Sequence, residues 1–327
     1  MKKFLTLCLA LLLIFSVVGC KLGQKEIKMR LAETHPADYP TTQGDYEFAK
    51  LVKERSNGKI TIEVYHSKQL GEEKAVIEQV QLGAIDFTRV SLAPVASFDA
   101  KFNALQMPFL YRDTDHLWKV LNGNIGDELL AGLEKSDFIG IGWFDGGIRN
   151  FYTKRLVKTP KDLKGMKIRV QQSELMVDMV KALGATATPL PYGEVYSALQ
   201  TGVVDGAENN YPSYDSTSHY EVAKFLVEDE HLRIPEIIIA SKKALNSKLS
   251  KKEIEMVKQA ARDAQTLQIK LWNEKVTASK EKVKAAKCVI TELSADEKKA
   301  FQDAMSPVYD KQADDIKAII KKVQEIQ

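Results

Sequence analysis

The sequence predicts an α/β protein of two domains. Three observations carry this. Between residues 26 and 90 strand-like and helix-like segments alternate in the order βαβαβ, the pattern of a mainly parallel sheet. The same alternation returns between residues 138 and 208. The chain has 327 residues, and at roughly 100–200 residues per domain that length suits two sizeable cores.

The elements follow in order. Glu26–Ala32 alternates apolar and polar residues and reads as a strand. Phe48, Ala49, Leu51 and Val52 recur at helical spacing within Tyr46–Glu54, and Ser56-Asn57-Gly58 ends that helix. Lys59–Tyr65 alternates strictly and is a strand. Glu72–Leu82 is a helix closed by Gly83, and Ala84–Val90 is the next strand. Phe138–Phe144 and Met166–Val170 read as strands. Ser173 opens a helix running to Leu183, which Gly184 stops, and Ala185–Leu190 is a strand. Tyr192–Gln200 is a helix ended by Gly202, before a strand over Val203–Glu208.

Gln81-Leu82-Gly83-Ala84-Ile85-Asp86 is echoed by Gln200-Thr201-Gly202-Val203-Val204-Asp205, a local hint of two sheets built alike. A long helix then starts at the capping box Ser250-Lys251-Lys252-Glu253. No Gly or Pro interrupts it as far as Cys288, and it carries ten basic and five acidic residues between Ser250 and Lys287. Its basic face reads first as a solvated surface, and otherwise as a contact for a membrane protein or anionic headgroups. Cys288–Glu292 reads as a strand, Ser294–Glu297 as a second capping box, and Ser306-Pro307 as the start of the last helix.

The N-terminus reads as a leader. Lys2 and Lys3 precede an apolar run from Phe4 to Val18, too short for a comfortable membrane span. Val17-Val18-Gly19-Cys20 resembles a bacterial lipoprotein signal, whose cleavage would leave Cys20 as the acylated N-terminus. An ordinary secretory signal with an incidental cysteine is the other reading. Cys8 leaves with the leader and Cys20 would carry lipid, so Cys288 stands alone. That excludes a disulfide framework and a cysteine-based metal site within one chain, and the apolar run Cys288-Val289-Ile290 predicts a buried thiol.

Composition excludes several classes. Charged residues make up 28% and hydrophobic ones 44%, which suits neither a disordered tail nor a polytopic membrane protein. With 47 basic against 44 acidic residues, net +3, nothing points to nucleic acid. No phosphate-binding loop, zinc-protease motif or paired-histidine spacing occurs, and a nucleophile with its base is not evident. The search for an enzyme is therefore nearly empty, and no enzyme activity, cofactor or metal is expected.

The arginines are scarce, nine against 38 lysines, and their placement matters. Arg169 sits between Ile168 and Val170 in a strand, where a guanidinium needs an anion. That anion is either a protein carboxylate or a ligand carboxylate, which the planar fork would take bidentately. Arg149 lies in the turn-like Gly146-Gly147-Ile148-Arg149-Asn150, and Arg89 near the end of the strand Ala84–Val90. For these two a structural role fits the spacing equally well. The run Val203–Asn210 brings Glu208, Asn209 and Asn210 to the carboxyl end of a strand, where α/β sheets bind ligands.

Together these segments resemble the solute-binding proteins of TRAP (tripartite ATP-independent periplasmic) transporters, the DctP family. The resemblance runs through Leu82–Phe87, Met107–Asp113, Gly147–Phe151, Asp162–Val170 and Gly193–Asn209. It implies a periplasmic-binding-protein-like fold, two α/β domains around a ligand cleft with a long domain-spanning helix. The implied division is a signal peptide over 1–19 and an anchor and linker over 20–25. A first domain over 26–145 would be completed by about 232–249 and 288–327. A second domain would cover 146–231, and the spanning helix 250–287.

The resemblance assigns Arg169 to the ligand carboxylate, Arg149 and Asn209 to the pocket with Glu208 beside them, and Tyr192 to an aromatic face on the ligand. Arg89 and His35 would face the cleft from the other domain. Three arginines would suit a C4-dicarboxylate. The polar company of His35, Glu208, Asn209, Asn210 and Asp145 would suit a sugar acid such as a hexuronate. The implied partners are that small carboxylate, the small and large subunits of a membrane permease, and the membrane itself through lipid on Cys20 at the extracytoplasmic face. A binding protein feeding a membrane receptor, or an extracytoplasmic enzyme on the same scaffold, would be the alternatives.

Overall fold

The computed structural model describes residues 26–327. The expected leader, Cys20 and the linker over 20–25 lie outside the described residues. In the first half of the chain the order is β1 (Ile27–Ala32), α1 (Pro40–Arg55), β2 (Ile60–Tyr65), α2 (Glu73–Leu82), β3 (Phe87–Ser91), α3 (Leu92–Val95), α4 (Thr114–Leu121), α5 (Asn124–Gly132) and β4 (Phe138–Phe144). The chain continues through β5 (Ile148–Thr153), β6 (Lys167–Val170), α6 (Glu174–Ala182), β7 (Thr186–Pro189), α7 (Val195–Thr201), β8 (Gly206–Asn209), α8 (Tyr211–Ser216), α9 (His219–Val222) and β9 (Phe225–Arg233). It ends with β10 (Glu236–Ser241), α10 (Lys242–Lys248), α11 (Lys251–Ala285), β11 (Val289–Glu292), α12 (Ala295–Met305), α13 (Pro307–Asp310) and α14 (Asp314–Glu325).

Two sheets result. The first has the order β2-β1-β3-β10-β4 and the second β11-β9-β5-β8-β6-β7. Within them β1, β2 and β3 run parallel, as do β6, β7 and β8. The expectation of mainly parallel sheets fails for the four pairings made by β5 and β10. β10 is antiparallel to β3 and β4, and β5 is antiparallel to β8 and β9. These strands are the chain's two crossings between sheets. It leaves the first sheet through β4, Asp145-Gly146-Gly147 and β5, and returns through β9, Ile234-Pro235 and β10. Each connection is only two or three residues long, and the strands it joins lie in different sheets.

The sequence misplaced several elements for identifiable reasons. Arg149 is not in a turn but in β5, whose buried residues Asn150 and Thr153 hide the alternation. β9 carries Glu228, Asp229, Glu230 and His231 and shows no clean period. α1 begins at Pro40, six residues before the expected start at Tyr46, because its first two turns bury Thr41, Thr42 and Asp45 instead of an apolar stripe. Ser306-Pro307 starts only the single turn of α13, and the final helix begins at Asp314.

The segment 288–327 does not complete the first domain as a unit. β11 pairs in parallel with β9 in the second sheet, and α12 packs beside β9 and α6. α14, by contrast, packs on α5. Cys288, at the edge of the second sheet, is half-buried and not enclosed.

The long helix matches its expected start. Ser250 Oγ accepts from the Glu253 N–H while Glu253 caps Ser250 in return. At ~1.5 Å per residue its 35 residues span on the order of 50 Å. Ile254, Val257, Ala261 and Ala264 pack on the first sheet with Phe48 and Ile238. Further along, Val283 joins the core of the second sheet with Tyr152, Leu199 and Leu226. Lys275 and Ser279 both bond the buried carboxylate of Asp215 in α8, at 2.8 and 2.9 Å. Most of the helix's basic residues are thus ion-paired to neighbours, including Lys280 to Glu228 and Arg262 to Asp127. Among the described residues no helix is long and apolar enough to cross a membrane.

Candidate functional site

Between the two sheets lies a narrow cavity with about 20 Å³ of free space. His35, Tyr39, Glu73, Ser91 and Glu236 form its first-sheet wall. Arg149, Gln171, Tyr192, Asn209, Asn210 and Ser213 form the other, and Trp272 of α11 lies along the side. Both walls come from strand ends and the loops after them, as expected for ligand sites in α/β sheets.

The three arginines singled out by the sequence differ in their counter-ions. Arg89 is fully buried. It bonds Glu33 through Nε and Nη2, Glu236 through Nη1, and lies 2.7 Å from His35 Nδ1. Arg149 is also buried; it bonds both carboxylate oxygens of Glu208, the Glu208 carbonyl at 2.8 Å and Asn209 Oδ1 at 2.8 Å. Neither has charge to spare. Arg169 is equally buried, 2% exposed; it stands in β6 two residues before Gln171, behind the lining and not on it, yet among the described residues no carboxylate pairs with it. Its Nε and Nη2 donate to a single acceptor, the Leu190 carbonyl, at 3.0 and 2.7 Å. Of five N–H donors three remain, including the outer edge that takes a carboxylate bidentately. Burial accordingly pulls the Arg169 pKa below its ordinary value.

The pocket carboxylates show the same logic in reverse. Burial alone would raise the Glu208 pKa, but the Arg149 guanidinium and His231 hold it down at about 2. Glu208 is thus the counter-ion of Arg149. His231 loses basicity to burial but gains more from Asp229 and Glu208, and is pushed up to about 9. Asp229 Oδ2 lies 2.7 Å from its Nδ1, and Phe151 stacks on the ring. The first wall has three buried carboxyls for one arginine. Burial and the neighbouring carboxylates push Asp45 well up, and burial outweighs Arg89 at Glu236, which rises to about 8.

Several expected ligand groups have structural work. Asn210 caps α8 by accepting from the Ser213 N–H at 2.7 Å, and donates to the Gly146 carbonyl at 2.9 Å. Asp145 does not line this cavity. It belongs to the first crossing, where it accepts from the Gly147 N–H at 2.7 Å and faces a separate cavity behind Trp272. Asn209 spends its oxygen on Arg149 and the Asn210 N–H, leaving its amide NH₂ for the cavity. His35 stacks on Tyr39 at 4.0 Å and leans on Tyr192 at 4.9 Å, forming an aromatic corner. Burial lowers its pKa, against the opposing pull of Glu33.

The sequence missed Tyr39, Glu73, Ser91, Gln171, Glu236 and Trp272. Trp272 alone had a signal. The apolar stripe of the long helix turns from Ala261 and Ala264 to Gln265, Gln268 and Trp272 where it meets the crossings. Gln268 accepts from the Asp145 N–H and donates to its carbonyl, at 2.8 and 3.0 Å. Three buried polar atoms of the lining, Ser91 Oγ, Gln171 Oε1 and Tyr192 Oη, have no hydrogen-bond partner among the described residues. Orphaned groups clustered on one cavity point to a ligand that supplies their partners.

The bacterial extracellular solute-binding protein family 7 model, DctP, matches residues 31–315. Solved structures align over nearly the whole chain. A TRAP periplasmic solute-binding protein from Bradyrhizobium sp. BTAi1, in complex with D-galacturonate, is 44% identical over 91% of this chain and 99% of that one, with TM-score 0.88. One from Pseudomonas putida F1 with bound D-glucuronate is 40% identical, over 92% and 98%, with TM-score 0.88. One from Shewanella oneidensis with bound succinate is more distant, 26% identical over 91% and 98%, with TM-score 0.86.

Proposed function

The chain belongs to the DctP family of bacterial extracellular solute-binding proteins, and on that premise we propose that it captures a hexuronate for a TRAP transporter through Arg169. The observation that carries this is the single uncompensated guanidinium among three buried arginines. One free guanidinium suits one carboxylate. Three arginines would have suited a dicarboxylate, and Arg89 and Arg149 are already paired with Glu33, Glu236 and Glu208. The orphaned Ser91, Gln171 and Tyr192 oxygens, with the Asn209 amide, supply polar partners for sugar hydroxyls.

The geometry then performs capture. The ligand carboxylate meets the outer edge of Arg169, while Glu208 holds Arg149 and Asn209 rigid beside it. Tyr192 and His35 pack on the sugar face. The first wall closes, water leaves, and the charge-assisted bonds strengthen in the drier site. Tyr39 joins the walls by bonding Ser213 Oγ at 2.9 Å. The closed form would deliver its ligand to the small and large subunits of a membrane permease. Lipid on Cys20 would hold the protein at the extracytoplasmic membrane face; a single acyl chain anchors only marginally, so more than one is expected. No chemistry on the ligand is required of any residue, and the protein acts as a carrier and not an enzyme.

A thermal-shift screen against D-glucuronate, D-galacturonate, succinate and malate tests the reading. A ligand at 100 times its Kd stabilises by about 2.7 kcal/mol. Stabilisation by the uronates is expected; stabilisation by the dicarboxylates alone would overturn it.

A further inference from the structure

The two walls of the cavity are electrically unlike. Behind the second stands the free guanidinium of Arg169, in β6 two residues before the lining Gln171. Among the described residues that line it, the first offers a ligand no available cation, because Arg89 is enclosed by Glu33 and Glu236. What it presents instead is Glu73, at the first position of α2, half-buried and lining the cavity. The Ser91 backbone N–H donates to Glu73 Oε1 at 2.8 Å and fixes the carboxylate's orientation. Glu73 Oε2 makes no hydrogen bond, and no Lys, Arg or His pairs with Glu73, among the described residues. It shares the cavity lining with His35 and Glu236 of its own wall and with Gln171 and Tyr192 of the other.

We propose that Glu73 is the specificity determinant that admits a hydroxyl-rich monocarboxylate and rejects a dicarboxylate. Its free oxygen accepts from a ligand hydroxyl at the end remote from Arg169, and its charge repels a second carboxylate placed there. Rejection by like charge is as effective a source of selectivity as a new attraction. Its neighbour Ser91 offers an orphaned hydroxyl to the same end of the ligand. The inference rests on the reading of Arg169 as the carboxylate clamp and adds to it the residue that sets what the other end must be.

The test uses isothermal titration of the mature protein with D-glucuronate, succinate and D-glucarate, which is glucuronate with a second carboxylate at its far end. The wild type is expected to bind glucuronate about 100-fold more tightly than either dicarboxylate. Glu73→Gln keeps an acceptor for the Ser91 N–H and removes the charge. It is expected to weaken glucuronate about tenfold and to narrow the gap to glucarate by at least about tenfold. Equal wild-type binding of glucuronate and glucarate overturns the inference without any variant. So does an unchanged ratio in a Glu73→Gln protein whose melting shows it folded. If the wild type binds no uronate, or binds it regardless of Arg169→Gln, the reading of the site itself falls. If uronate binding depends on Arg169 but selectivity ignores Glu73, only this inference falls.

Discussion

Replacing Arg169 by Gln separates a ligand clamp from a structural ion pair. The guanidinium has five N–H donors, and two point at the Leu190 carbonyl. Its outer edge can give two charge-assisted bonds to a carboxylate, each worth roughly 1.5–3 kcal/mol net. Arg169→Gln therefore removes ~3–6 kcal/mol of binding, or about 10²- to 10⁴-fold in Kd. The ligand-free protein should respond in the opposite sense. Arg169 is a buried charge without a counter-ion, disfavoured by burial, so a neutral amide there should leave the apo protein at least as stable. Arg149→Gln is the contrast. It strands Glu208, which is fully buried, and should destabilise the fold by ~3–5 kcal/mol. Calorimetric titration with D-glucuronate and urea unfolding without ligand read the two effects. An Arg169→Gln protein that binds within about threefold of wild type, or that loses more than about 2 kcal/mol of apo stability, would refute the reasoning.

Tyr39→Phe removes the hydroxyl that joins the walls through Ser213, and should weaken ligand binding about three- to tenfold by titration while shifting the apo melting temperature little. Gly147→Ala places a methyl 2.7 Å from the Trp272 ring at a φ of +69°, so unfolding in urea should show a loss of ~2–4 kcal/mol; an unchanged midpoint would mean the crossing can relax. His231 holds its proton up to about 9, above its ordinary 6.5, so the folded state binds that proton more tightly than the unfolded one. Its contribution, on the order of 3 kcal/mol, is full below about pH 6.5 and is lost as pH rises through about 9. Urea unfolding across that window should slope downward in the wild type and flatten in His231→Gln. His219 is shifted the other way, down to about 3 by burial and the Arg169 charge, so stability should also fall as pH drops below about 6.5. A His219→Gln protein should lose that acid-side decline.

Much of the scaffold was legible because it is written in short-range pattern. β1, β2 and β4 follow their alternating or continuous apolar runs, and the Ser250 and Ser294 capping boxes start the helices they announce. Arg169 stood out for the same reason, as a guanidinium between Ile168 and Val170 in a four-residue strand. What each arginine pairs with was not legible. Arg89 finds Glu33 56 residues away and Glu236 147 residues away, and Arg149 finds Glu208 59 residues away. Nor were Tyr39, Glu73 and Trp272, which meet in one cavity only after two crossings bring the sheets face to face. Local sequence determined which segments are strands and helices, because backbone preference and side-chain period act over a few residues. The tertiary structure decided which buried charges are neutralised and which one is left for a ligand, because Coulomb interaction and desolvation depend on distance in space and not along the chain.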